Sequence, residues 1–397
     1  MSALPSKPLS LMLVCGEPSG DQLGGQLMAA LRSTVGERIK IGGVGGRAMA
    51  AQGLQTLFPL DDTAVMGLRE VVPKIPVILR RVREVCDVAL ATRPDAVVLI
   101  DSPDFNHRIA RRLKRVAPAI PTICYVAPQV WASRAYRARA MARNFDLLLT
   151  LLPFEPPFFE RYGLRSKFVG HPVIERASMM TGGAQLKERL GIARAAPVLM
   201  VLPGSRSSEV RFILPVFRDA VQKIAENVSD LVCVLPTVPH VAARVREGSA
   251  DWPTPLHIVE GDTDKFAAMN ASDAALAASG TVTTELALAR TPMVVAYRVG
   301  WLTYLLARPL FVSPWFTLVN LLLQKRAVPE FLQGAATARV LAGEVITLLT
   351  NMVVADRQRL DLGRAAKLLG EGEEAPSLRT ARAILDFVEE RRFLSLG

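Results

Sequence analysis

The acid with the strongest claim to chemistry is Asp101, which follows the apolar run Ala96 to Ile100 and opens Asp101-Ser102-Pro103-Asp104-Phe105-Asn106. A carboxylate at the end of a buried strand loses solvation unless it is paired, so Asp101 suits a general base, while Asp104 suits the N-cap of the helix that follows. A second stretch, Gly16-Glu17-Pro18-Ser19-Gly20-Asp21, closes the first strand and opens a helix. Backbone N–H groups and the helix dipole at such a turn attract an anion or a polyol, and Glu17 is a second carboxylate able to take a proton. A capped turn with Ser19 or Asp21 as N-cap accounts for the same residues. The lysine and glycine spacings of a P-loop or dinucleotide fingerprint are absent.

Further along, Pro203-Gly204-Ser205-Arg206 ends another apolar run. Arg206 there either clamps a phosphate with its planar donor fork or is an ordinary turn arginine. Ser279-Gly280-Thr281, with Glu285 four residues on, sits at a helix start whose amides would hold a diphosphate while Glu285 accepts from ribose hydroxyls. A capping box at Thr281 or Thr284 is the plainer account. His171, between Gly170 and Pro172, either hydrogen-bonds a ligand or orders a hinge. Asp262-Thr263-Asp264 has the spelling of a metal-binding triplet but begins a helix and is expected to cap it. His107, His240 and His257 lack metal-ligand spacing, so no metal site is expected.

These groups need strands to carry them. Leu11 to Cys15, Lys40 to Gly43, Ala96 to Ile100, Thr122 to Val126 and Leu147 to Thr150 read as buried strands separated by amphipathic helices, the pattern of a parallel α/β sheet. After Gly170-His171-Pro172 the pattern restarts, with strands near Val198 to Leu202, Leu231 to Leu235, His257 to Val259, Ala274 to Leu276 and Met293 to Val295. The sequence therefore predicts an α/β protein of two Rossmann-like domains, residues 1–172 and 173–376, facing across a cleft. A helical segment, residues 377–397, is expected to return to the first domain. Open α/β sheets bind ligands beyond their strand carboxyl ends, where all four candidate turns fall.

Composition narrows the classes. Of 397 residues, 50% are hydrophobic and 21% charged, which excludes disordered and fibrous chains, and the four cysteines are too scattered for a disulfide or zinc framework. The formal charge of +11 attracts nucleic acid, anionic lipid or phosphorylated small molecules. With 6% aromatic residues, base-stacking patches are not evident and nucleic acid is not expected as a partner. No stretch reaches the ~20 apolar residues of a membrane span, and no signal peptide opens the chain, so a cytoplasmic protein is expected.

Taken in order, these segments resemble a known family. Gly16 to Asp21, Ala64-Val65-Met66-Gly67, Ile100 to Asn106, Tyr125-Val126-Ala127-Pro128-Gln129-Val130-Trp131-Ala132, Leu152-Pro153-Phe154-Glu155, Gly170-His171-Pro172, Leu202 to Arg206, Ala278 to Thr281 with Glu285, Pro292 to Val295, and Asn320-Leu321-Leu322 through Val328-Pro329-Glu330-Phe331-Leu332-Gln333 follow the order seen in the lipid-A-disaccharide synthases, glycosyltransferase family 19. Ser133, where many relatives carry a second Trp, is a departure. The resemblance implies a GT-B glycosyltransferase that moves 2,3-diacylglucosamine from UDP-2,3-diacylglucosamine to the 6-hydroxyl of 2,3-diacylglucosamine 1-phosphate. It implies inversion to a β-1,6 disaccharide, no cofactor and no metal. It also implies that Asp101, or Glu17, is the base, that Arg206 and Asn320 are necessary polar groups, and that Ser19, Gly20, His171, Gly204, Ser205, Ser279, Gly280, Thr281, Glu285, Glu330 and Gln333 contact the substrates.

Acylated substrates imply work at a bilayer, on the cytoplasmic face of the inner membrane. Met66, Val72, Ile75, Ile78 and Leu79 beside Arg80 and Arg81 suit an apolar face flanked by charges that meet anionic lipid. Buried packing accounts for that stretch as well, and for Trp301 to Leu323. The oligomeric state stays open, a homodimer included. Another UDP-sugar enzyme, an epimerase or an undecaprenyl-linked glucosaminyl transferase, would share the fold and the donor loop, and an inactive scaffold would share the fold alone.

Overall fold

The computed structural model describes residues 8–63, 68–130, 136–298, 300 and 313–394. The chain forms two compact units, residues 1–172 with 372–397 and residues 173–371. The second unit ends short of the boundary at 376 expected from sequence.

In the first unit six strands, β1 (Leu9–Cys15), β2 (Ile39–Val44), β3 (Ala96–Ile100), β4 (Thr122–Tyr125), β5 (Leu147–Thr150) and β6 (Ser166–Phe168), make one parallel sheet in the order β2-β1-β3-β4-β5-β6. Both faces are apolar, as a parallel sheet covered by helices requires. Along β1, Leu9, Leu11, Leu13 and Cys15 enter one core layer, while Met12 and Val14 enter the other. The Pro18–Val35 helix lays Leu23, Leu27 and Leu31 on the first layer at four-residue spacing, each contributing about 2 kcal/mol by burial. The helix Pro376–Leu394 joins the same layer through Ala381, Ile384, Phe387 and Val388. Ion pairs hold it there: Arg392 to Asp95 at 2.6 Å and Arg165 to Glu390 at 2.8 Å.

The second unit repeats the design with β7 (Val198–Leu202), β8 (Val232–Thr237), β9 (Leu256–Glu260), β10 (Ala274–Ala278), β11 (Met293–Tyr297) and β12 (Glu330–Leu332), all parallel, in the order β12-β11-β10-β7-β8-β9. Its core is built largely where the helices Ser207–Ala225 and Ala338–Thr350 meet the sheet.

Each strand order reverses once. In the first sheet the chain steps from β1 out to β2 and then back to β3 on the other side, so β1 and β3 are neighbours whose connections leave in opposite directions. In the second sheet the same holds of β7 and β10. These are the switch points at which doubly wound sheets open a crevice beyond the strand carboxyl ends. Cys15 pairs with Ile100 across the first and Leu202 with Ala277 across the second, so Glu17 with Asp101, and Gly204 with Ser279, lie just past them. Among the described residues no single helix is long and apolar enough to cross a membrane.

Candidate active site

At the first switch point Ser19 donates its hydroxyl to Asp101 Oδ2 at 2.6 Å, which ties the start of the Pro18–Val35 helix to the end of β3. Gly20 makes the approach feasible. A Cβ there would meet Ile100 O at 3.1 Å and Asp101 Cβ at 3.3 Å. Asp101 and Ser102 hold φ of 53° and 48°, and Val126, at the end of the adjacent β4, holds 82°. Left-handed backbone at three non-glycine residues costs on the order of 1–3 kcal/mol each and persists where surrounding contacts enforce it. Here those contacts are Asp101 N–H to Tyr125 O at 2.9 Å, Asn106 N–H to Ser102 O at 3.0 Å, and the Asn106 amide to Asp101 O. Asp101 thereby sits just past the end of β3, in the wall of a cavity.

Glu17 belongs to the same cluster. Burial raises its pKa and the Asp101 charge raises it further, against a hydrogen bond from Ser102 that lowers it. The four cysteines are buried, and burial pushes Cys15 up to about 12, so thiol chemistry is not on offer.

Two expectations near this cluster are corrected. Asp21 does not cap its own helix; its buried carboxylate accepts from the N–H groups of Gly46 at 2.7 Å, Ala48 at 2.8 Å and Met49 at 3.1 Å, capping the next helix, Arg47–Ala51. Asp104 stands in the first turn of the Pro103–Val116 helix, whose N-cap is Ser102. His171 is partly buried next to Gly170, which holds φ of 93°.

At the second switch point β7 delivers Gly204, Ser205 and Arg206. Arg206 is the N-cap of the Ser207–Ala225 helix, and Glu209 accepts from the N–H groups of Ser205 at 3.1 Å and Arg206 at 3.2 Å. Glu209 also pairs with the Arg206 guanidinium at 3.1 Å, which orients it while leaving that side chain 69% exposed. Gly204 holds φ of 106°, and a Cβ there would lie 2.5 Å from Glu209. His240 meets Ser205 O at 2.7 Å. Tyr297, at the end of β11, has a pKa raised by burial and by Glu209, and lowered by Arg206. Sequence reading gave Glu209, His240 and Tyr297 no role; of these only Glu209 carried a signal, its three-residue spacing from the cap.

Beside β7, β10 leads into Ser279 and the exposed Gly280, which is the N-cap of the Thr281–Ala289 helix. Ser279 N–H is tied to Ala296 O at 3.2 Å, and the Gly280 position has open space around it. The first turn thus presents N–H groups outward, with dipole and donors both favouring an anion.

The remaining expected contacts behave differently. Glu285 is buried and paired with Arg176 at 2.6 Å and Lys265 at 3.2 Å. Its carboxylate locks the second turn of that helix, and Arg176, unnoticed in the sequence, is its partner. Asn320, expected among the reacting polar groups, is fully buried and exchanges two 2.8 Å hydrogen bonds with the backbone of Val328. It is a positioning residue for the segment that leads into β12. Glu330 accepts from Phe316 N–H at 3.3 Å and Thr317 N–H at 2.9 Å, anchoring the Leu318–Leu323 helix. Gln333 holds φ of 52° and its carbonyl accepts from Arg298 at 3.2 Å. Asp262 and Asp264 lie in the first turn of the Asp262–Ala271 helix, not at its Gly261 cap, and pair with Lys265 and Arg189.

Of the lipid-facing set, Ile75 and Leu79 are exposed at 42% and 38%, one turn apart on the Leu68–Thr92 helix, and Arg80 is exposed beside them. Ile78 packs against the core. Arg81 is a correction: it is half-buried, paired with Asp62 at 2.6 Å and Glu84 at 2.5 Å, and stacked over Phe58. Met66, the side chain of Val72, and Trp131 to Ser133 lie outside the described residues.

Residues 11–381 match the family model of lipid-A-disaccharide synthetase. The chain is 47% identical over 385 residues to the lipid-A-disaccharide synthase of Rhodospirillum centenum, covering 97% of this chain and 96% of that one. Among solved structures it is similar to a putative UDP-N-acetylglucosamine 2-epimerase from Listeria monocytogenes, with a TM-score of 0.67 at 17% identity, covering 97% and 98% of the two chains. A glycosyltransferase from Rickettsia africae gives 0.59 at 14% identity, covering 98% and 99%. At such identities the structural likeness shows the fold alone, the GT-B fold.

Proposed function

Because the chain belongs to the lipid-A-disaccharide synthetase family, and is therefore a glycosyltransferase acting on a sugar nucleotide and an acceptor, we propose that it transfers 2,3-diacylglucosamine from UDP-2,3-diacylglucosamine to the 6-hydroxyl of 2,3-diacylglucosamine 1-phosphate. The observation that carries the reading is the placement of chemically opposite groups at the two switch points. One offers a strained carboxylate held by Ser19; the other offers Arg206 and an open helix N-terminus.

In this reaction Asp101 takes the proton of the acceptor hydroxyl as its oxygen bonds to the anomeric carbon of the donor. The bond from that carbon to the UDP oxygen breaks on the opposite face, so the α-linked donor gives a β-1,6 product. The electron pair leaves with UDP, whose growing charge is met by Arg206 and by the N–H groups that begin the Thr281–Ala289 helix. Those donors suffice for the leaving group in the reading proposed here, and neither metal nor cofactor takes part.

The test is incubation of the purified protein with both substrates in detergent, with chelator and no added metal, following disaccharide and UDP by mass spectrometry. Disaccharide is the expected product. UDP without disaccharide would mean a different acceptor, activity only on adding a divalent cation would overturn the metal-free mechanism, and no turnover under either condition would overturn the transfer.

Access to acylated substrates is proposed to use Ile75 and Leu79, with Arg80 meeting anionic headgroups on the cytoplasmic face of the inner membrane. A protein carrying Ile75→Asp and Leu79→Asp should sediment with anionic vesicles several-fold less than wild type. Equal sedimentation would place the membrane contact elsewhere.

A further inference from the structure

We propose that a cavity of about 400 Å³ in the first unit, with Asp101 in its wall and Arg108, Arg111 and Arg137 around it, binds the phosphate of the acceptor substrate. The inference rests on the transfer reaction proposed above and identifies the groups that read the acceptor at the end remote from its attacking hydroxyl.

Three observations carry it. The first is unneutralised charge: Arg108 and Arg111 are exposed on the Pro103–Val116 helix, and neither has a carboxylate partner among the described residues. Among the described residues Arg137, from the Tyr136–Asn144 helix, pairs with Asp104 alone, at 3.5 Å, and that carboxylate is 84% exposed, where an ion pair contributes little. Three guanidiniums line the cavity against two carboxylates, Asp101 and Asp104, so its lining is net positive and favours an anion.

The second observation is His107, which lines the same cavity. Burial lowers its pKa, and Arg137, Arg111 and Arg108 lower it further, against Asp104, which raises it. Its Nε2 lies 3.4 Å from the Asn144 amide, which suits a neutral imidazole accepting there.

The third is Asn106, 1% exposed, whose Oδ1 has no hydrogen-bond partner among the described residues although its amide donates to the Asp101 carbonyl. A buried carbonyl oxygen left without a donor costs about 1–3 kcal/mol, and a sugar hydroxyl in the cavity would supply one. Carboxylate, orphan acceptor and arginines together match a sugar bearing a hydroxyl to be deprotonated and a phosphate of charge about −1.5 to −2 at neutral pH.

An anionic lipid headgroup has the same phosphate chemistry, so the experiment separates the two sources. A protein carrying Arg108→Ala and Arg111→Ala is compared with wild type in neutral detergent micelles, using 2,3-diacylglucosamine 1-phosphate and its dephosphorylated analogue. Binding is read by phosphorus NMR and transfer by disaccharide formation. The variant should bind the phosphorylated acceptor about 10–100-fold more weakly, the loss expected for charged hydrogen bonds, while its transfer to the dephosphorylated analogue stays at the wild-type rate. A variant that keeps wild-type affinity in neutral micelles overturns the proposal, as does a defect seen only after anionic lipid is added. A wild type that binds the phosphorylated acceptor through these arginines yet makes no disaccharide would support the cavity and sink the transfer reaction instead.

Discussion

An Asp101→Asn protein is expected to lose disaccharide synthesis by about 10²–10⁴-fold, the contribution of a positioned general base, while still unfolding cooperatively as a folded protein. The choice of Asn matters. Asp101 holds φ of 53°, a conformation that asparagine adopts about as readily as aspartate, whereas alanine would add backbone strain to the loss of the carboxylate. The Ser19 hydroxyl can still donate to the amide oxygen, so the turn survives. Turnover that stays at the wild-type level in a folded Asp101→Asn protein would remove Asp101 as the base.

Glu17→Gln separates the two carboxylates. Burial and the Asp101 charge raise the folded-state pKa of Glu17, so the fold disfavours its ionised form. The penalty is absent below the unfolded value of about 4.3, grows as pH rises and is complete above the folded value. Glu17→Gln should therefore be more stable than wild type at neutral pH and indistinguishable from it in acid, as thermal unfolding at the two pH values would show. Its activity should fall far less than that of Asp101→Asn. The reverse order of activities would make Glu17 the base.

Arg206→Ala is expected to lower kcat by about 10²–10³-fold, as for removal of one donor to a charge that develops in the transition state. Arg206→Lys should recover only part of this, since a point charge cannot reproduce a planar fork. Stability should not change in either variant: the guanidinium is 69% exposed, and an exposed pair such as that with Glu209 contributes little. A rise in KM for the sugar nucleotide at unchanged kcat would show instead that Arg206 holds donor and transition state equally.

How far the sequence revealed these features follows from which forces act locally. The buried strands were legible because a strand covered on both faces, such as Ala96–Ile100 or Val198–Leu202, is a short apolar run with charge or glycine beyond it. The three-residue edge strands Ser166–Phe168 and Glu330–Leu332 are only partly buried, and their sequences carry no such run. The candidate turns were legible for the same reason as the strands, since each lies one step past a strand end. What the sequence could not show is where a polar side chain spends its hydrogen bonds. Asp21 looks like a local cap, yet its three donors come from residues 46 to 49; Asn320 looks available, yet Val328 takes both ends of its amide. Arg176 and Glu285 are separated by more than 100 residues, and only the fold makes them neighbours.

The helix Pro376–Leu394 has a consequence for synthesis. Residues 173–371 are continuous in the chain, so the second unit can close as soon as it clears the ribosome. The first unit, although its strands are made earlier, lacks the helix that supplies Ala381, Ile384, Phe387 and Val388 to its core until residues 376–394 emerge. During elongation it waits with one face of its sheet incompletely covered, a nascent apolar surface of the kind that chaperones bind. Completion of the second unit before the first inverts the usual N-terminal-first order, and a chain cut between residues 371 and 376 would have its second unit whole and its first not.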